Sequence, residues 1–131
     1  MFWANVRNFE KDIIYSTFYN GTVSEIEGLI NPEGIYACYS AGRKILKESP
    51  ADYSKVYFYI PEQFLDNVKN RFPEISKKHA NIFVLKMPAS MSMYGNVTTL
   101  PQTFVDIWNL RDWYSKDFVK SLQERIDGIL S

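Results

Sequence analysis

Apolar and polar positions divide the chain into alternating helical and extended segments. Phe2, Val6, Phe9 and Ile13 recur at spacings of four, three and four, with Arg7, Glu10 and Lys11 on the other side, which predicts an amphipathic helix to about Phe18. Asn20 and Gly21 end it, because both tolerate the left-handed backbone at which helices often stop. Thr22 and Glu25 have the spacing of a capping box and open a short helix that stops before the Asn31-Pro32-Glu33-Gly34 turn. Residues 34–38 are short, apolar and bounded by turn chemistry, hence a strand. Ser40 can cap the next helix, in which Ala41, Ile45 and Leu46 share a face. Beyond Ser49-Pro50, residues 55–60 form a nearly continuous β-prone run, as expected of a central strand covered on both faces.

Pro61 suits the first turn of a helix whose Phe64, Leu65, Val68 and Phe72 form one stripe, closed by Phe72-Pro73. Residues 81–87 read as a third strand. Met91, Met93 and Tyr94 alternate with Ser92 and predict an edge strand near Gly95. Thr99 and Gln102 form a second capping box at the head of a helix with Phe104, Val105 and Trp108 on one side. A last helix over residues 115–130 carries Phe118, Val119, Leu122, Ile126 and Ile129 as a broad stripe, with Lys116, Lys120, Glu124 and Asp127 outside it. The order of elements predicts a single small α/β domain over residues 1–131. Its mixed sheet of about three to five strands is flanked by helices, two of them C-terminal.

Bulk composition narrows the function classes. A chain of 131 residues with 46% hydrophobic and 16% aromatic residues sustains one core without disulfides or metals. Fifteen basic and fifteen acidic residues cancel, so no global field draws the domain to phosphate backbones or anionic lipid. The single Cys38 excludes an intrachain disulfide and fits a reducing compartment. No apolar run approaches the ~20 residues needed to span a bilayer, and the N-terminus lacks the apolar centre of a signal peptide. The expectation is a cytoplasmic protein with no membrane partner.

Candidate chemistry is sparse. His79 has no second histidine and Cys38 no second thiol, so neither metal ligation nor Cys-His catalysis is indicated. Glu25 and Glu27 form an acidic pair like that of metal-dependent nucleotidyl transfer or a diverged nuclease, but without the accompanying Gly-Ser turn or third carboxylate. No catalytic, metal or cofactor residue is therefore assigned. Ser40, Gly42, Arg43 and Lys44 open a helix after a strand, where free amides and the helix dipole favour an anion. Arg43 and Lys44, together with Lys77 and Lys78 beside His79, are the candidate phosphate contacts. Tyr36, Tyr57, Tyr59 and Trp108 could line an aromatic ligand pocket, although alternating strand aromatics usually belong to a core.

The C-terminal segment offers an interaction face. Gln102, Asp106 and Asn109 line one side of their helix, and Trp113 and Tyr114 lie in the turn that follows, where an exposed aromatic pair would suit a hot spot. The plainer reading has Gln102 and Asp106 supporting the helix through capping and an i,i+4 contact.

Residues 34–37, the small-residue start Ser40-Ala41-Gly42, the strands at 56–60 and 80–85, and above all Thr99-Leu-Pro-Gln102-Thr-Phe-Val-Asp106-Ile-Trp108 before a final amphipathic helix resemble one family in order and type. It is the C-terminal domain of AbiEi-like regulators, the antitoxins of type IV toxin-antitoxin systems and related transcriptional regulators. The resemblance implies a non-enzymatic effector or interaction domain without cofactors. Its implied partner is a nucleotidyltransferase-like toxin or a second copy of the chain. DNA reading falls to a preceding winged helix, and none can be fitted before Asn31. The chain is therefore expected to be the C-terminal part of a longer regulator or a stand-alone relative.

Overall fold

The strand predicted to be central is central. In the computed structural model, which describes residues 12–30, 34–74, 79–87 and 93–130, Val56–Ile60 is buried at all five positions. Numbered in chain order, the strands are β1 (Ile13–Thr17), β2 (Ile35–Ala37), β3 (Val56–Ile60), β4 (Ile82–Lys86), β5 (Met93–Tyr94) and β6 (Val97–Thr98). The helices are α1 (Val23–Gly28), α2 (Cys38–Leu46), α3 (Leu65–Arg71), α4 (Leu100–Trp108) and α5 (Ser115–Leu130). A 3-10 turn, Glu62–Phe64, leads from Pro61 into α3.

These strands form one mixed sheet of order β1-β4-β3-β2-β6-β5. β3 pairs parallel with β4 and antiparallel with β2, and β6 lies parallel to β2 through Tyr36 and Val97. Side chains alternate across a strand, so β3 serves two cores. Tyr57 and Tyr59 join α2, α4 and α5 on one face, around Tyr39, Ile107, Phe118 and Leu122. Val56, Phe58 and Ile60 join α1 and α3 on the other, around Ile26, Val68 and Phe72. The α/β architecture, with a mixed sheet between helices and two C-terminal helices, is as the sequence indicated.

The N-terminal expectation needs correction. Residues 13–17 are strand β1, not the end of a helix; residues 1–11 of that segment lie outside the described residues. β1 pairs antiparallel with β4, with a register shift between Ile13 and Tyr15. Ile-Ile-Tyr-Ser-Thr is rich in β-branched and aromatic side chains, and here the ladder with β4 outweighs the helical spacing that Ile13 shares with Phe9. At the far edge, Val97 and Thr98 add a strand the sequence did not signal. The turn between β5 and β6 places Gly95 at φ 60, where only a residue without a Cβ is unstrained.

Gly42 sets how closely α2 and α5 approach. A Cβ built there would lie 3.0 Å from Cδ1 of the buried Phe118 ring and 3.7 Å from Cδ1 of Ile107. Gly42→Val is therefore expected to lower stability by about 1–3 kcal/mol through overpacking. Gly128→Ala, on α5 with open space around the new methyl, should instead raise it by a few tenths to about 1 kcal/mol through helix propensity. Denaturant unfolding of both variants checks the contrast, and equal effects would remove the steric account.

Candidate interaction site

Three acidic side chains hold the domain together, each bonded to a tyrosine hydroxyl. On α1, Glu27 is 7% exposed. Its Oε2 accepts from Ser40 Oγ at 2.5 Å and Tyr53 OH at 2.6 Å, and its Oε1 accepts from Arg43 Nη2 at 3.0 Å. Arg43 Nε also donates to Tyr53 OH at 3.0 Å. Burial, then the bond to Glu27, pushes the Tyr53 hydroxyl up to about 12. The Arg43 guanidinium is held above its ordinary value chiefly by its bond to Tyr53.

This cluster answers the question raised at the start of α2. The helix begins at Cys38, so Ser40 lies inside it rather than capping it. The anion drawn to Ser40 and Arg43 is the chain's own Glu27. Lys44 sits over the Tyr36 ring, 4.5 Å from its centroid. Arg43 is thus tied to Glu27, Lys44 stays exposed, and Lys77 and Lys78 lie outside the described residues. Glu25 is occupied in the capping box with Thr22, which forms as its spacing predicted. Among the described residues, no three His, Cys, Asp or Glu side chains converge as metal ligands.

A second carboxylate anchors α4. Asp106 is fully buried; its Oδ2 accepts from Tyr59 OH of the central strand at 2.8 Å and its Oδ1 from Gln102 Nε2 at 2.9 Å. Thr99 caps the helix through Gln102 N, but the Gln102 side chain turns forward to Asp106 instead of back to the cap, so the second capping box is half formed. Asn109 Nδ2 donates to Val105 O at 2.8 Å, one turn back. A third carboxylate, Asp112, fastens the turn between α4 and α5. It accepts from Tyr39 OH at 2.8 Å and Lys55 Nζ at 2.6 Å. Burial, followed by the bond to Asp112, drives the Tyr39 hydroxyl well above the usual tyrosine range.

Of the polar face expected to meet a partner, Asp106 is turned inward, while Gln102 and Asn109 are half-buried. The two amides are spent within α4. Tyr114, only 2% exposed, packs against Tyr39 at 4.7 Å between ring centroids. Trp113, its neighbour in the turn, is 76% exposed, and Trp108 at the end of α4 is 56% exposed. Tyr57 and Tyr59 are core residues, so the aromatic ligand pocket imagined with Trp108 does not form. Both tryptophans line an open groove of about 570 Å³, its apolar lining completed by half-buried Leu110 and Val119 over the fully buried Ile107. Arg111 and Lys116, both exposed, also line it.

One feature escaped the sequence reading. Cys38 sits at the junction of β2 and α2 with φ 52, a left-handed backbone unusual for a residue with a side chain. Strand-to-helix elbows of this kind present nucleophiles in hydrolases. Here the thiol is fully buried in the core around Tyr39 and Tyr57, closed to a substrate.

No family model, no curated protein and no solved structure matches this chain. Among the described residues, no helix is long and apolar enough to cross a membrane.

Proposed function

We propose that this chain is a non-enzymatic interaction domain of an AbiEi-like transcriptional regulator or antitoxin, working through protein contacts made where α4 turns into α5. The observation that carries this reading is the exposure of Trp108 and Trp113 beside an apolar groove. Tryptophan is among the residues most enriched in binding hot spots, and two indoles left in solvent at one groove are the kind of anchors such a site uses. The Thr99–Trp108 motif that carries the family resemblance fits this role, because its inward polar groups set the pose of the helix that ends in Trp108.

Chemistry has weaker support. Glu25 and Glu27, the acids a nuclease-like or nucleotidyltransferase-like site would need, are both taken up by internal hydrogen bonds. An auxiliary contact to a DNA backbone gains nothing from Arg43, which is tied to Glu27. In this reading, sequence-specific DNA contact belongs to a winged helix outside this chain.

The test is co-expression with a nucleotidyltransferase-like toxin encoded alongside, scored by growth rescue and by the Kd of the purified pair. Trp108→Ala with Trp113→Ala is expected to fold as the parent does and to weaken binding by about thirty-fold or more, the effect of losing one hot spot worth about 2 kcal/mol. Rescue that persists undiminished in this variant would remove the groove from the function.

A further inference from the structure

We infer that the groove between α4 and α5 takes an acidic amphipathic helix from a protein partner, its apolar side laid between Trp108 and Trp113 and its carboxylates set against Arg111 and Lys116. The inference rests on the docking role proposed above and specifies the chemistry of the partner.

Charge decides the partner. Asp112, an acid of the lining, is neutralised within the domain by Lys55 and also accepts from Tyr39 OH. Arg111 and Lys116 are exposed and have no ion-pair partner among the described residues. A chain of zero net formal charge therefore presents a locally positive rim around an apolar groove. Lys116 is the more telling of the two. It stands in the first turn of α5, at the positive end of the helix dipole, where a cation works against the stability of its own helix. Asp117 of the same turn answers the dipole but does not line the groove, whereas Lys116 does, and its position there suits an external anion.

The apolar lining decides between a peptide and a nucleic acid. Single strands bind along tracks of many cations with flat aromatic platforms, and their affinity scales with the number of phosphates neutralised. Two cations and the half-buried aliphatic side chains of Leu110 and Val119 suit side chains better than bases. Grooves between helices commonly receive a helix that inserts anchors at i, i+3 or i+4 and i+7.

The experiment uses the full chain and three probes. One is a synthetic helix of about 16 residues with Leu and Phe anchors at those spacings and Glu elsewhere. The second keeps the anchors but replaces Glu with Lys, and the third is single-stranded oligothymidylate. Binding is measured by calorimetry at low and high salt. The acidic helix should bind at least about ten-fold more tightly than its basic twin, with affinity falling as salt rises. Arg111→Glu with Lys116→Glu, both at exposed sites, should invert that preference without lowering the thermal midpoint, since an acid in the first turn of α5 favours its helix. Equal binding of the two peptides, tighter binding of the oligonucleotide, or indifference to charge reversal overturns the inference.

Toxin rescue separates this inference from the reading beneath it. Rescue lost in the tryptophan variant but untouched by charge reversal overturns the acidic partner alone. Rescue untouched by either overturns the docking role as well.

Discussion

Asp106→Ala is expected to lower the stability of the domain by about 3 kcal/mol, a large share of what a domain of this size has. The residue is fully buried between α4 and the central strand. Its removal takes away the acceptor of the Tyr59 hydroxyl, itself fully buried, and losing a hydrogen bond to a buried charged group costs about 1–3 kcal/mol. Gln102, half-buried, loses its partner too, and the missing side chain leaves a void beside them. The thermal midpoint should fall by roughly 10 °C, at the several degrees per kcal/mol typical of this chain length. Asp106→Asn, which keeps an oxygen for Tyr59, should lose clearly less. Asp106→Leu combined with Tyr59→Phe should recover part of the loss, because the fully buried hydroxyl goes with its acceptor and only half-buried Gln102 is left to find another. A drop below about 1 kcal/mol for the alanine variant would mean that water reaches Tyr59 and that the clamp is not structural.

The second large effect lies at alkaline pH. Tyr39, Tyr53 and Tyr57 all hold their protons more tightly in the folded chain than the ordinary tyrosine value of 10.0, with burial the first cause in each case. For Tyr39 and Tyr53 a carboxylate that accepts the hydroxyl proton adds to the shift. A raised folded-state value means that the unfolded chain releases protons first. The stabilisation from these hydroxyls is therefore complete below pH 10, and it drains away as pH climbs through 10 toward about 12, where Tyr53 titrates in the folded state. Stability should be level up to about pH 10 as far as these groups are concerned, then fall steeply as several tyrosines act together. Circular dichroism and tyrosinate absorbance followed in parallel should show unfolding and ionisation as one cooperative step. Smooth ionisation of all nine tyrosines near pH 10 in a chain that stays folded would show that these hydroxyls are not held as described.

Local patterns carried most of the layered architecture because most elements announce themselves locally. Val-Tyr-Phe-Tyr-Ile is apolar on both faces and became the strand with a core on each side. Phe118 and Leu122 kept the spacing of a helix stripe and lie in the core. The failures share one cause, a decision made by distant residues. Ile13 fits a helical spacing with the residues before it and a strand with those after it, and the ladder to residues 82–85 settled the matter. Val97 and Thr98 are too few to form a pattern; they are a strand because β2 lies alongside.

The candidate site followed the same rule. Gln102 and Asp106 could be paired from their spacing, but Tyr59, 47 positions earlier, could not be named as the third member. The pull of the α2 start for an anion was legible, whereas its satisfaction by Glu27 was not. Trp113 and Tyr114 are adjacent aromatics in one turn, and nothing in their types says which will be buried. The hydroxyl of Tyr114 has a companion in Ser54 on the sheet side, and its ring meets Tyr39. The indole of Trp113 was left in solvent.

The tyrosine–carboxylate clamps also bear on kinetics. Asp106 ties the helix that ends in Trp108 to the middle of the sheet, and Asp112 ties the turn that carries Trp113 to α2 and Lys55. Both indoles thus project from a base that is already ordered. A ligand arriving there meets a finished seat and need not wait for the receptor to rearrange, so capture should be governed by collision and orientation, and discrimination among ligands by how long each one stays.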